Sequence, residues 1–183
     1  MLKFALPKIS HIFGLVHNKI LSGKKYLSSF EWQWIIIPLF YFLITRLAIY
    51  LAAYYGHTLL PSDAPARHVN LEPNPSFLGL LSKWDSEWYL YIATKWYQPT
   101  GQEQSPVAFF PLYPILIRIL PHFLNFNFHL SGLVISNGCF LGGLILLFRL
   151  VQDIYEDQSM AKRAAFYMCI FPSSVFFSSI YSE

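Results

Sequence analysis

Two short stretches of this sequence carry acidic side chains in surroundings that can make them reactive. The first is Trp84-Asp85-Ser86-Glu87-Trp88-Tyr89, where two carboxylates lie two residues apart among large aromatic rings. A carboxylate can serve as a general base toward an acceptor hydroxyl. Partial desolvation by neighbouring rings raises its pKa toward the range where that proton transfer is efficient. The rings of Trp84, Trp88 and Tyr89 can hold sugar or lipid. A structural account competes with the catalytic one. Ser82-Lys-Trp-Asp85 has the spacing of a capping box, with Ser82 as N-cap and Asp85 at N3. Acidic residues also suit a helix N-terminus electrostatically. An Asp-x-Glu pair is a weak metal signal, because positions i and i+2 do not share a helix face, so no metal ligands are assigned.

The second stretch is Phe171-Pro-Ser-Ser-Val-Phe-Phe-Ser-Ser-Ile-Tyr181-Ser-Glu183, which mixes hydroxyls into an apolar run and closes on a carboxylate. Pro172 can kink a helix there, and the serines can simply bond back to the freed carbonyls. Upstream of both lies a charge question. Arg46 sits at the middle of an apolar run, where a cation is costly and usually faces protein or a water-filled cavity. Its expected partner is a buried protein group or an anionic lipid phosphate. His57, His68, His122 and His129 are scattered without ligand spacing and read as loop residues. Cys139 and Cys169 lie inside apolar runs and read as buried free thiols, with neither a metal pattern nor a disulfide framework.

The elements that must position these groups follow from composition. Of 183 residues, 55% are hydrophobic and only 13% charged, against about 25% charged in a soluble domain. Apolar runs long enough to cross a bilayer, roughly 20 residues, alternate with polar stretches. The chain is therefore expected to be an all-α integral membrane protein. Its net charge of +3 is too small to suggest a nucleic-acid partner. Membrane lipids are the expected surroundings.

Residues 1–33 form a basic segment with Lys3, Lys8, Lys19, Lys24 and Lys25, and apolar residues between them recur at helical spacing. A short helix on an anionic, cytoplasmic membrane face is expected. A first span covers 34–55. Residues 56–129 form a large outer loop, with an amphipathic juxtamembrane helix over Phe77–Tyr97 and a Pro-rich re-entrant segment over 107–121 that carries Arg118. A second span covers 130–151, with Gly132, Gly138, Gly142 and Gly143 for close helix packing. A cytoplasmic loop, 152–163, leads to a third span, 164–183. By the positive-inside rule, both acidic stretches then lie on the outer side.

Three segments, in this order, resemble one family: Trp84 to Ala93, Ala108-Phe-Phe-Pro-Leu-Tyr-Pro114, and Phe171 to Glu183. Together they are similar to the PIG-V family, the GPI mannosyltransferase 2 type with its bacterial relatives, over roughly residues 34 to 183. The resemblance implies part of a GT-C polytopic helical bundle. It implies an inverting transferase that takes a hexose, mannose in eukaryotic members, from a polyprenyl- or dolichyl-phosphate donor on the outer or luminal face. The family's key acid matches Asp85, with Glu87 as its companion, and the later Tyr-Ser-Glu matches Tyr181 to Glu183. Asp85 is then the expected base, Glu87 and Glu183 position donor or acceptor, and Arg46 and Arg118 hold the lipid phosphate. Eukaryotic members tend to have His where this chain has Trp88, which puts the acceptor in doubt.

Such enzymes use many more helices than these spans supply, so the chain is expected to be the front of a longer enzyme. The competing reading is a non-catalytic subunit that binds polyprenyl lipid or scaffolds a partner, or an inactive truncated transferase. The expected compartment is a bacterial plasma membrane, or the endoplasmic reticulum membrane in a eukaryote.

Overall fold

A computed structural model of the chain describes residues 32–59, 78, 81–82, 85–98 and 106–181. The chain divides into two units, Met1–Gln33 and Trp34–Glu183. The expected basic surface helix belongs to the first unit and lies outside the described residues. All regular structure among the described residues is helical: α1 (Gln33–Leu59), α2 (Ser86–Lys95), α3 (Leu112–Leu124), α4 (Phe128–Tyr155) and α5 (Gln158–Ile170). Two 3-10 segments, Pro106–Ala108 and Pro172–Ser178, complete it.

Two of these helices, α1 and α4, are long and apolar enough to cross a membrane. At 1.5 Å per residue each is about 40 Å long, more than the roughly 30 Å hydrocarbon core. They lie antiparallel: the Arg149 guanidinium of α4 stands 5.0 Å from the Trp34 ring, Phe42 meets Phe140, and Tyr50 donates to the Asn137 side chain at 3.2 Å. α1 buries only Pro38 and Arg46 and leaves Phe40, Leu43 and Leu47 exposed. Both long helices overrun their sequence-based limits, α1 past Tyr55 through His57 and α4 to Tyr155.

The turns at both ends of α4 are tight. Asn127 caps α4 by accepting from Leu130 N–H at 2.7 Å. Glu156, in the left-handed region at φ 54°, ends it, and Asp157 caps α5 by accepting from Ser159 N–H. The loop expected over 152–163 thus shrinks to Glu156 and Asp157, and Lys162 and Arg163 stand on α5. Nor is 164–181 one continuous span. α5 stops at Ile170, and Pro172, which lacks an N–H, starts a 3-10 helix instead.

The Pro-rich segment forms a 13-residue helix, α3, because Pro111 and Pro114 fall at its N-cap and first turn, where backbone N–H groups have no intrahelical partner. At about 20 Å it is too short to span.

Within the stretch Phe77–Tyr97 expected to be one amphipathic surface helix, Ser86–Lys95 form α2, and α2 is not a surface helix. Every residue from Trp88 to Ala93 is buried. Leu90 and Ala93 pack with Ile117 of α3, Leu133 of α4 and Ile180. A second core joins Leu144 and Phe148 of α4 to Ala161 and Ala165 of α5. Between apolar helices in lipid, such contacts act through close van der Waals fit, which small residues permit. Of the glycines expected to serve this purpose, only Gly132 does so: a Cβ there would lie 2.7 Å from Ile180 Cγ2, whereas Gly138, Gly142 and Gly143 face open space. Cys169 is buried as expected, but Cys139 is exposed. His57, His122 and His129 stand on helices rather than loops.

Candidate active site

The capping box does not form. Leu81 N–H bonds Leu78 C=O in a turn, and Leu81 C=O accepts from Ile180 N–H at 3.2 Å. Leu81 is thereby tied to Ile180, and α2 starts three residues later than a Ser82 cap requires. Asp85 itself is the N-cap residue, with its side chain exposed and no side-chain cap hydrogen bond. Its backbone is well held. The carbonyl accepts from Trp88 and Tyr89 N–H at 3.0 and 3.2 Å, and the N–H donates to the Tyr181 phenol oxygen at 3.2 Å. Two motifs 96 residues apart thus meet at one point.

Tyr181 is fixed in turn. Its carbonyl accepts from Ser136 Oγ at 2.6 Å, and Ser136 Oγ lies 2.6 Å from the Tyr113 phenol. With the Ser136 hydrogen given to Tyr181, the Tyr113 hydrogen goes to Ser136 or to Gly132 C=O, 3.0 Å away. Glu87, one residue into α2 from Ser86, is half-buried, and its Oε2 is buried without a hydrogen-bond partner among the described residues. Ser86 Oγ is in the same condition on a fully buried side chain. A buried polar atom left so is costly unless a further group meets it.

Trp88 and Tyr89 are packing residues in this structure. Trp88 stacks on Phe109 at 5.8 Å between ring centres, and Tyr89 meets Phe109, Tyr113 and Tyr181 edge-on. Tyr97, whose phenol is pushed above its ordinary value by burial, donates to Phe109 C=O at 2.7 Å and holds the loop that carries Phe109. Trp84 and Glu183 lie outside the described residues.

Neither arginine joins Asp85. Arg46 is buried, and its terminal nitrogens donate to Ser174 C=O at 2.8 Å and to Ser178 Oγ, with Ser174 Oγ and Cys169 C=O at 3.4 and 3.5 Å. The guanidinium also stands 4.7 Å from the Phe140 ring. The serines therefore do two things: Ser174 Oγ bonds back to Cys169 C=O, and Ser178 serves Arg46. Arg118 is exposed and donates to Ala93 C=O at 3.4 Å, near the C-terminal end of α2. That end is about 12 Å along the helix from Asp85. Among the described residues no group of three or more His, Cys, Asp or Glu is arranged to hold a metal ion.

Beside the acidic point runs an apolar groove of about 670 Å³ between α3, α4, α5 and the 3-10 helix. Its wall includes Leu116, Phe140, Leu144 and Phe177, and its polar spot is the Tyr113–Ser136–Tyr181 chain. Sequence reasoning missed Ser136 and gave Tyr113, quoted only within the Ala108–Pro114 motif, no role. The available signal was Ser136-Asn137, a polar pair within an otherwise apolar span.

Comparison with known proteins gives this helical, acid-bearing arrangement a class. Over 161 residues the chain is 28% identical to GPI mannosyltransferase 2 of Drosophila melanogaster, covering 77% of this chain and 35% of that protein. Over 112 residues it is 31% identical to GPI mannosyltransferase 2 of Drosophila pseudoobscura pseudoobscura, covering 56% of this chain and 24% of that protein. The chain thus spans about a third or less of the length of these relatives. No solved structure matches. The profile of the mannosyltransferase (PIG-V) family matches residues 33–183, and the chain belongs to that family.

Proposed function

We propose that this chain is part of a membrane glycosyltransferase that moves mannose from a polyprenyl- or dolichyl-phosphate carrier to a hydroxyl of a lipid-linked or glycan acceptor. The observation that carries the reading is Asp85. It is an exposed carboxylate on a rigidly held backbone, beside a half-buried Glu87 with an unmet oxygen. Asp85 takes the proton of the acceptor hydroxyl; that oxygen bonds to the anomeric carbon as the bond to the phosphate oxygen breaks. The polyprenyl phosphate leaves and the configuration inverts. Glu87 accepts a hydrogen bond from a sugar hydroxyl and orients it. The adjoining apolar groove suits the first isoprene units of the donor.

The placement of charge supports an outward-facing site. Arg149, Lys162 and Arg163 gather where α4 passes to α5, whereas Tyr181, which accepts the Asp85 N–H, meets Ser136 in the opposite half of α4. Basic residues favour the cytoplasmic side. The compartment is then the outer face of a bacterial plasma membrane or the luminal face of the endoplasmic reticulum; the two insect relatives favour the second. Further helices of a GT-C bundle would complete the donor site.

Transfer from dolichyl-phosphate-mannose by membranes containing the full-length protein tests this. Asp85→Asn is expected to lower kcat at least about a hundredfold, the lower end of the range for loss of a general base. Undiminished transfer would sink the assignment and leave the lipid-binding or scaffolding reading.

A further inference from the structure

We propose that Tyr181 is a positioning residue for the carboxylate of Asp85, and that Ser136, backed by Tyr113, sets Tyr181. This rests on Asp85 being the base. The Asp85 side chain makes no cap hydrogen bond, so its direction follows from the backbone at the start of α2. That backbone is gripped from outside the helix by the Tyr181 phenol oxygen, which accepts the Asp85 N–H. A tyrosine ring can fix an aim only if it is itself fixed, and Tyr181 is. Its ring meets Phe176 at 5.1 Å, the residue before it bonds Leu81, and its carbonyl takes the Ser136 hydrogen.

The resulting chain runs from α3 through α4 and the end of the 3-10 segment to α2. Tyr113, Ser136 and Tyr181 are all buried, and hydrogen bonds away from water hold their geometry tightly. None of the three hydroxyls needs to touch the reacting atoms. Their effect is on where Asp85 stands, and small misplacement of a catalytic group costs rate steeply.

The test uses the full-length protein in native membranes, with dolichyl-phosphate-mannose as donor and folding checked by thermal melting in detergent. Tyr181→Phe keeps the ring and removes the oxygen that accepts the Asp85 N–H. It is expected to lower kcat about tenfold with the donor KM within about twofold. Ser136→Ala is expected to give a smaller loss that Ser136→Thr restores. The decisive readout is the pair: Ser136→Ala added to Tyr181→Phe is expected to lower kcat no further, because both act through one contact. If the alanine protein is not recovered folded, Tyr113→Phe takes its place in the pair.

An unchanged kcat in Tyr181→Phe overturns the inference, as do single losses that multiply or a loss confined to KM. Asp85→Asn run alongside separates the two failures. Transfer lost there but intact in Tyr181→Phe rejects only the positioning role. Transfer intact in Asp85→Asn removes the base assignment as well.

Discussion

A guanidinium halfway along an apolar helix is among the costliest groups a membrane protein can place there, and Arg46 shows what makes it tolerable. Ser174 and Ser178 meet its terminal nitrogens, and two aromatic rings, Phe42 and Phe140, lie within 6 Å. Removing the side chain strands a carbonyl and a hydroxyl in an apolar site. We expect Arg46→Ala to cost about 3 kcal/mol of stability, read as a lower melting temperature in detergent, with Arg46→Lys intermediate because one ammonium cannot fork to both acceptors. A protein that melts normally but binds donor poorly would return Arg46 to the phosphate role.

The sequence could say that Arg46 needed a partner, but not which one. Its acceptors lie 128 and 132 residues away and are made available only by the 3-10 turn after Pro172. Ser136 was hidden for the same reason, since a lone hydroxyl in an apolar run more often bonds its own helix.

At the scale of elements, the long apolar helices were legible because bilayer thickness writes itself into run length. The short ones were not, because their limits depend on contacts. Ser82 has the right neighbours for a cap, yet Leu81 is committed to Ile180 and the helix begins at Ser86. Likewise α5 starts in what reads as a polar loop, because Asp157 caps it immediately after α4 ends. Glycine spacing was equally ambiguous, and the four glycines of α4 divide sharply. Gly132→Ala drives a methyl into Ile180, next to Tyr181, and is expected to cost roughly 1–3 kcal/mol and to depress transfer. Gly138→Ala meets open space and is expected to be neutral or stabilising by up to about 1 kcal/mol in the isolated chain. Thermal melting of both variants checks the contrast; equal losses would mean that α4 is covered at Gly138 in the native membrane.

For the molecule as a whole, the buried residues of the two cores and the acidic point come from α2 to α5 and the segments beside them, while α1 packs Trp34, Ile37, Tyr41 and Phe42 against the second core and Tyr50 and Ala53 against the first from the outside. Much of its apolar surface remains exposed, and the hydrogen bonds of Arg46 and Tyr50 add to these aromatic contacts in joining it to the rest. The acidic motifs, the membrane class and the family could be found in the one-dimensional sequence. The meeting of Asp85 with Tyr181 could not, since it depends on the fold bringing residues 96 apart together.

The peripheral attachment of α1 has a consequence for biogenesis. During synthesis Arg46 enters the bilayer long before Ser174 exists, because 128 residues separate them. At 5–20 residues per second that gap is on the order of 10 s. Through that interval the nascent helix carries an unmatched cation, so it is expected to linger at the insertion machinery, or to sit displaced toward the headgroups, until the serines emerge. Crosslinking of chains arrested at successive lengths would show it: contacts of α1 with the translocon should persist until about residue 178 is exposed and then drop, and an early release independent of Arg46 would contradict it.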